Sequence, residues 1–257
     1  MPISVVIVAK NEEKKIGMVL DAVQSVADEI IVVDSGSTDK TVSIAQNRGA
    51  RTLFQDWLGY AAQKNFAMSL ATYDWILSLD ADEVLTKELQ DEIIELKKSQ
   101  EISKFDGYKI PRILLIGDTK VRFGGFYPDA QLRLIKKGCG QFNDRMVHEA
   151  IKVSGPVRTL QNHMLHYSYN SVEEFSQAME KFARLSAQEY KKQSESGIGE
   201  HKNKYQNAFT SSFRPVWTFF YRYFLRGGFM DGALGLRLAT EYSNYVRKKI
   251  EFTRQKD

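Results

Sequence analysis

The sequence carries a single cysteine, Cys139, among 257 residues. No disulfide can form within the chain, which suits a reducing compartment and excludes a disulfide-stapled scaffold. Cys139 stands between Gly138 and Gly140 with no histidine close by, so it reads as a loop residue rather than an activated nucleophile. No stretch approaches the ~18 consecutive apolar residues of a membrane-crossing helix. Residues 1–9 are apolar but too short for a signal peptide, and charged residues follow at once from Lys10. A cytoplasmic location is therefore expected. No glycine lies between Ala9 and Ile16, after the first strand-like run. That excludes the G-x-G-x-x-G turn of a dinucleotide-binding dehydrogenase, and the glycine-rich loop of a sugar-phosphate nucleotidyltransferase is missing too. Charge of one sign is also scarce: the net +4 only weakly favours anionic partners, and the basic surplus falls mainly in residues 202–257. There is no repeat, no low-complexity tract and no recognisable nucleic-acid-binding module, so no nucleic-acid partner is expected.

What is present is alternation. Residues 3–8 form a β-branched run broken only at Ser4, as expected of a strand buried on both faces. Residues 12–27 carry Ile16, Val19, Leu20 and Val23 at helical spacing. Strands are predicted at 30–33, 50–54 and 75–79, with helices at 38–44, 60–70 and 86–96 between and after them. Alternation of this kind predicts an α/β fold with a mainly parallel, Rossmann-like sheet flanked by helices. From Phe105 the texture changes to short β-like pieces at 107–116, 121–126 and 131–135. From Tyr169 it changes again, to a helical C-terminal extension. There Ser171-x-x-Glu174 resembles a capping box for a helix over 171–190, and Gly227-Gly228 is a stop signal after the aromatic segment 213–224. The expected division is a catalytic domain over 1–169, with a nucleotide-binding half at 1–100 and an acceptor half at 101–169, followed by helices over 170–257.

Ligands of open α/β sheets bind beyond the carboxyl ends of the strands. Three polar segments occupy those places: Lys10-Asn11-Glu12-Glu13, Asp34-Ser35-Gly36-Ser37-Thr38-Asp39 and Asp80-Ala81-Asp82-Glu83. All three are expected to converge on one crevice. Asp80 and Asp82, two residues apart after a buried strand, suit Mg²⁺ or Mn²⁺ with positions left for phosphate oxygens. The plainer alternative is a polar loop in which Asp82 caps the next helix. Asp34 and Asp39 equally suit turn chemistry at a strand end.

These three segments together resemble the inverting glycosyltransferases of family 2, with the GT-A fold, and among them the bacterial lipopolysaccharide-core β-glucosyltransferases. The motifs cover residues 1 to about 170. The resemblance implies a divalent cation, a UDP-sugar donor and a glycan or glycolipid acceptor. It implies that Glu12 and the backbone around Val8 and Lys10 line the nucleoside pocket. Asp34 and Ser35 would lie by the base and ribose with Val33 alongside, and Lys64 near the diphosphate. Asp80, next to Ala81, would approach ribose and metal, Asp82 would ligate the metal, and His166 would be a further ligand. In Arg145-Met146-Val147-His148-Glu149, it implies Glu149 as catalytic base, with His148 orienting its neighbours. Two positions depart from many relatives, which carry an aromatic residue at Lys10 and a second acid at Ser35. Gly124-Gly125 is a candidate loop over the donor sugar, Asp129 a candidate contact to a hydroxyl, and His163 has no assigned role.

Phe213, Trp217, Phe220 and Phe224 share one helical face, with Arg214, Arg222 and Arg226 interspersed. Such a segment packs on a neighbouring domain, joins two copies, or lies on the inner face of an anionic membrane. The expected activity is transfer of glucose from UDP-glucose to a hydroxyl of a lipopolysaccharide inner-core or related acceptor. The alternatives are a different polysaccharide, lipid or protein acceptor, and a non-catalytic nucleotide-sugar or membrane-docking module.

Overall fold

A computed structural model describes residues 1–143, 150–195 and 208–255. The first half of the chain runs β1 (Ile3–Ala9), α1 (Ile16–Val23), β2 (Glu29–Asp34), α2 (Thr41–Asn47), β3 (Arg51–Phe54), α3 (Tyr60–Ser69) and β4 (Trp75–Asp80). It continues through β5 (Glu83–Leu85), α4 (Lys87–Lys98), β6 (Gly107–Ile110), β7 (Arg112–Ile116) and β8 (Thr119–Val121). Then come β9 (Gln131–Lys136), β10 (Gly140–Phe142), β11 (Ile151–Val153), β12 (Val157–Thr159) and β13 (Met164–Tyr169). Helices α5 (Val172–Glu195), α6 (Ala208–Phe220) and α7 (Gly232–Arg254) close the order. Two compact units result: Met1–Ile113 with Pro128–Ser168, and Leu114–Tyr127 with Tyr169–Asp257.

The first unit is built on a seven-stranded sheet in the order β12-β6-β9-β4-β1-β2-β3. Pairs β1–β2, β1–β4, β2–β3 and β12–β6 are parallel, while β9 runs antiparallel to both its neighbours. Side chains alternate across a strand. Ile3, Val5 and Ile7 therefore enter one core layer with Ile16 and Leu20 of α1 and Leu89 and Ile93 of α4. Val6 enters the other layer with Ile31, Val33 and Ala61, Ala67 and Met68 of α3. That double burial is why β1 reads as an apolar run broken only at Ser4; each such apolar side chain contributes roughly 1.5–3 kcal/mol.

Local chemistry sets the element ends. Thr86 caps α4 by accepting from the Leu89 amide. Helix α1 begins at Ile16 rather than near Glu12, after a turn over 13–15 in which the Glu12 carbonyl accepts from Lys15 N–H at 3.0 Å and from Ile16 N–H at 2.9 Å. Glu12 N–H donates to Thr41 Oγ1 at 2.8 Å and Glu13 N–H to Asp39 Oδ2 at 3.1 Å. Residues 107–116 form two strands separated at Pro111, whose carbonyl accepts from Met164 N–H at 2.9 Å. The expected strand at 121–126 is present only as far as Val121, where β8 ends.

The second unit has a core of its own, in which Ile116, Val121, Val172, Phe175 and Leu238 are buried together. Ser171 Oγ accepts from Glu174 N–H, and the Glu174 carboxylate accepts from Asn170 N–H at 2.7 Å, closing the start of α5. Helix α6 passes into a π-helical turn, Tyr221–Leu225, that ends at Gly227 with φ +69°. Among the described residues, no helix is long and apolar enough to cross a membrane.

Candidate active site

The strand order reverses direction between β1 and β4, and a crevice at such a point is where open α/β sheets bind ligands. Register places the acids there. Ala9 lies opposite Asp34 on one side of β1, and Val8 opposite Asp80 on the other.

Asp34 is buried and its two oxygens have different fates. Oδ2 accepts from Gly36 and Ser37 N–H, both at 2.9 Å, and so holds the turn after β2. Oδ1 is buried with no hydrogen-bond partner among the described residues. A buried acceptor left this way is costly unless a ligand satisfies it. Beside it, Ser35 Oγ accepts from Gln63 Nε2 at 3.0 Å. The first and second polar loops are stitched together: Asn11, at φ 55°, accepts from Thr38 N–H through Oδ1 and donates its own N–H to Ser37 Oγ. Asp39 accepts from Thr41 N–H at 2.9 Å and supports the start of α2, while Lys10 is exposed. Burial pushes the Glu12 carboxyl up, with Lys15 opposing and Asp82 and Asp39 adding to the rise.

Across the crevice lies a network of charges. Lys64 Nζ, on α3, is 2.6 Å from Asp80 Oδ1, and Arg133 Nη2, on β9, is 2.9 Å from Asp80 Oδ2. Arg133 Nη2 also reaches Glu83 Oε1 at 2.6 Å, and Arg112 Nη1 reaches the same oxygen at 2.9 Å. Glu83 is fully buried, and its Oε2 accepts from Asp80 N–H at 3.1 Å. Asp129 receives the other edge of Arg112 and, on Oδ1, Gln131 Nε2. Burial opposes ionisation of Asp80, but Lys64 and Arg133 outweigh it and hold its carboxyl well below the usual range.

Strand β13 pairs antiparallel with β5, setting His166 opposite Glu83 and bringing its ring to Asp82. His166 Nε2 is 3.5 Å from Asp82 Oδ2, and Ser168 Oγ lies within hydrogen-bond distance of the imidazole. Against the cost of burial, His166 keeps the Asp82 carboxyl low. The Asp82 carboxylate suits Mg²⁺ or Mn²⁺, and an imidazole beside it favours Mn²⁺ of the two. Asp80, by contrast, faces Lys64 and Arg133, and no three His, Cys, Asp or Glu side chains among the described residues converge on one ion position. Among the described residues, Asp82 and His166 are thus the pair that the site brings together for a cation.

Of the residues singled out in the sequence, Val8, Glu12, Val33, Asp34, Ser35, Lys64, Asp80, Ala81, Asp82 and His166 all belong to the first unit. Glu149 lies outside the described residues, as do Arg145 and His148. The residues flanking that segment are closed on each other, Asn143 N–H donating to the Ala150 carbonyl at 3.1 Å. Gly124 belongs to the second unit, where its carbonyl accepts from Arg222 and its N–H donates to the Arg226 carbonyl. His163 contributes its carbonyl to Thr86 Oγ1. Arg133, Arg112 and Gln63 were missed from the sequence. A signal existed for Arg133: a charge inside Leu132–Ile135, where the remaining side chains are apolar, has to be paired if buried.

An open, mainly parallel sheet with acids and buried cations gathered at one strand-end crevice defines the class as an α/β protein with a polar ligand crevice at its strand ends. The sequence profile described as "Glycosyl transferase family 2" matches residues 4–109. A glycosyltransferase of Rickettsia bellii is 34% identical over 240 residues, 90% of this chain and 78% of that protein. The lipopolysaccharide core biosynthesis glycosyltransferase LpsC of Rhizobium meliloti is 31% identical over 90% of this chain and 82% of its own length. The chain therefore belongs to glycosyltransferase family 2, and its sheet is that of the GT-A fold. Among solved structures, S. aureus TarS 1–349 aligns over 99% of this chain and 89% of that one, at 16% identity and a TM-score of 0.49. Mycobacterium tuberculosis glucosyl-3-phosphoglycerate synthase, crystallised with Mn²⁺, UDP-glucose and phosphoglyceric acid, aligns over 32% of this chain and 34% of that one, at 32% identity and a TM-score of 0.30.

Proposed function

We propose that this family 2 glycosyltransferase moves glucose from UDP-glucose, with inversion, to a hydroxyl of a lipopolysaccharide-core or related glycan acceptor. The observation that carries the nucleotide reading is Asp34. One oxygen is spent on its turn and the other is buried without a partner among the described residues, one strand away from Asp80. An imide N–H of a uracil ring supplies the missing donor. Kinship with LpsC supports the core-glycan acceptor. The enzyme acts in the cytoplasm, in keeping with its lone cysteine.

In this reading Asp34 and Ser35 hold the base and ribose, with Glu12 and the backbone of Val8 and Lys10 completing the pocket. Asp82 and His166 hold a divalent cation, with Asp80 alongside. When bound, that cation offsets charge on the diphosphate leaving group. Lys64 and Arg133 add fixed positive charge beside the same crevice, already oriented by Asp80 and Glu83. Glu149 accepts the proton of the acceptor hydroxyl as its oxygen bonds to the anomeric carbon. The bond from that carbon to the phosphate oxygen breaks, and its electron pair leaves with UDP.

A thermal-shift screen of nucleotide sugars with Mn²⁺ tests the donor. UDP-glucose at a hundredfold its dissociation constant is expected to raise Tm by about 5–10 °C. A protein that no nucleotide sugar stabilises would overturn the reading. Stabilisation by UDP-glucose without transfer to any glycan, and without donor hydrolysis, would leave a non-catalytic binding module instead.

A further inference from the structure

More than half of the large apolar side chains that the described residues expose lie within residues 213–230. They form a continuous strip. Phe213 stacks on Trp217, Trp217 on Phe220 and Phe220 meets Phe224, with ring centroids 6.2, 5.9 and 5.1 Å apart. Beyond them Leu225 and Phe229 are exposed at 59% and 52%. An apolar strip of this length that no described residue covers is unusual on a soluble surface.

The strip has a definite charge. Residues 208–230 contain no Asp or Glu and three Arg. Arg222 is diverted inward: Nη1 donates to the Gly124 carbonyl at 2.6 Å, and its guanidinium lies 3.4 Å from the Tyr242 ring centroid. Arg226 is exposed and Arg214 half-buried, leaving a basic margin on an aromatic face. The platform is stiffly held. Asp231 accepts from Phe123 N–H at 2.9 Å, and Ser243 Oγ donates to the Pro215 carbonyl at 2.7 Å. A Cβ on Gly235 would come within 1.8 Å of the Gly228 carbonyl oxygen, so the turn and α7 are in direct backbone contact.

We infer that this strip is a docking surface for an anionic phospholipid bilayer, with the aromatic rings at the headgroup–acyl boundary and Arg214 and Arg226 toward lipid phosphates. Charge decides between a bilayer and a second copy of the chain. A two-fold interface through the strip would set this acid-free basic segment against itself, whereas anionic headgroups supply the missing negative charge. Trp and Tyr also favour that boundary, where one end of the ring is apolar and the other wet.

The test is co-sedimentation of the full chain with phosphatidylglycerol-containing vesicles and with pure phosphatidylcholine vesicles, without donor or acceptor. Failure here therefore leaves the transferase reading standing. The expected result is preferential binding to the anionic vesicles, weakened by salt, with a blue shift of tryptophan emission that Trp217→Phe removes. The double variant Trp217→Ser/Phe220→Ser is expected to bind at least about tenfold more weakly with an unchanged Tm, since both side chains are already exposed. Arg226→Gln is expected to cost about fivefold on anionic vesicles and nothing on neutral ones. Absence of binding to anionic vesicles overturns the inference, as does equal binding by the double variant. A wild-type dimer that ignores vesicles and that the double variant dissociates would assign the strip to a second copy.

Discussion

At the scale of single residues, Asp34 shows how one side chain serves both architecture and ligand. Asparagine in its place keeps one carbonyl oxygen for the turn amides but loses the charge offered to a base N–H. Asp34→Asn is expected to raise the KM for the donor by about 10–100-fold with kcat nearly unchanged, measured by steady-state kinetics. Arg133 differs, because Glu83 is fully buried and shares one of its oxygens between Arg133 and Arg112. Arg133→Met leaves buried acid under-compensated and is expected to destabilise the fold by about 3–5 kcal/mol in urea titration. The depressed carboxyls of Asp80 and Asp82 give a pH dependence with a definite sign. A folded carboxyl below its unfolded value of about 3.9 adds stability that is fully present above that pH and is lost as pH falls through the folded value. Acid unfolding is therefore expected below pH ~4, and Lys64→Met is expected to move its midpoint upward by raising the Asp80 carboxyl. A midpoint unmoved by that substitution would refute the account of Asp80.

At the scale of elements, the strands legible in the sequence were those whose burial leaves a pattern. Strands β1, β2 and β4 are apolar on both faces, and their polar continuations at Lys10, Asp34 and Asp80 mark the site directly. Strands β5, β10, β11 and β12 are three residues each and carry no periodicity, so nothing local announces them. Yet the β5–β13 pairing is what carries His166 to Asp82 across more than eighty residues of sequence. Ahead of α1, the amides of Glu12 and Glu13 donate to Thr41 and Asp39, contacts distant in the chain that helical spacing cannot weigh. Gly235 sets local propensity against packing in the same way. Within a helix, glycine to alanine alone favours stability by about 1 kcal/mol. The 1.8 Å approach of a Cβ to the Gly228 carbonyl opposes it, and that clash wins. Gly235→Ala is expected to lower stability by about 1–3 kcal/mol, read from thermal unfolding.

At the scale of the whole molecule, each unit has its own core, one carrying the crevice and the other the aromatic strip. With Asp82 and His166 brought together in the crevice, donor turnover is expected to fall to background in EDTA and to return with Mn²⁺. Asp82→Ala is expected to lose about 10²–10³-fold in kcat while keeping its far-ultraviolet circular dichroism. Metal-independent turnover by that variant would sink the assignment. By itself the sequence determined the α/β class, the parallel order of the early strands and the three acidic loops, because burial periodicity and strand-end polarity are local properties of the chain. Only the tertiary structure decided which charges pair. It turned Asp80 toward Lys64 and Arg133, set His166 beside Asp82, left one oxygen of Asp34 without a donor among the described residues and drew Arg222 out of the basic strip. Those outcomes depend on strand register and on distances between residues far apart in the chain, which no local spacing encodes.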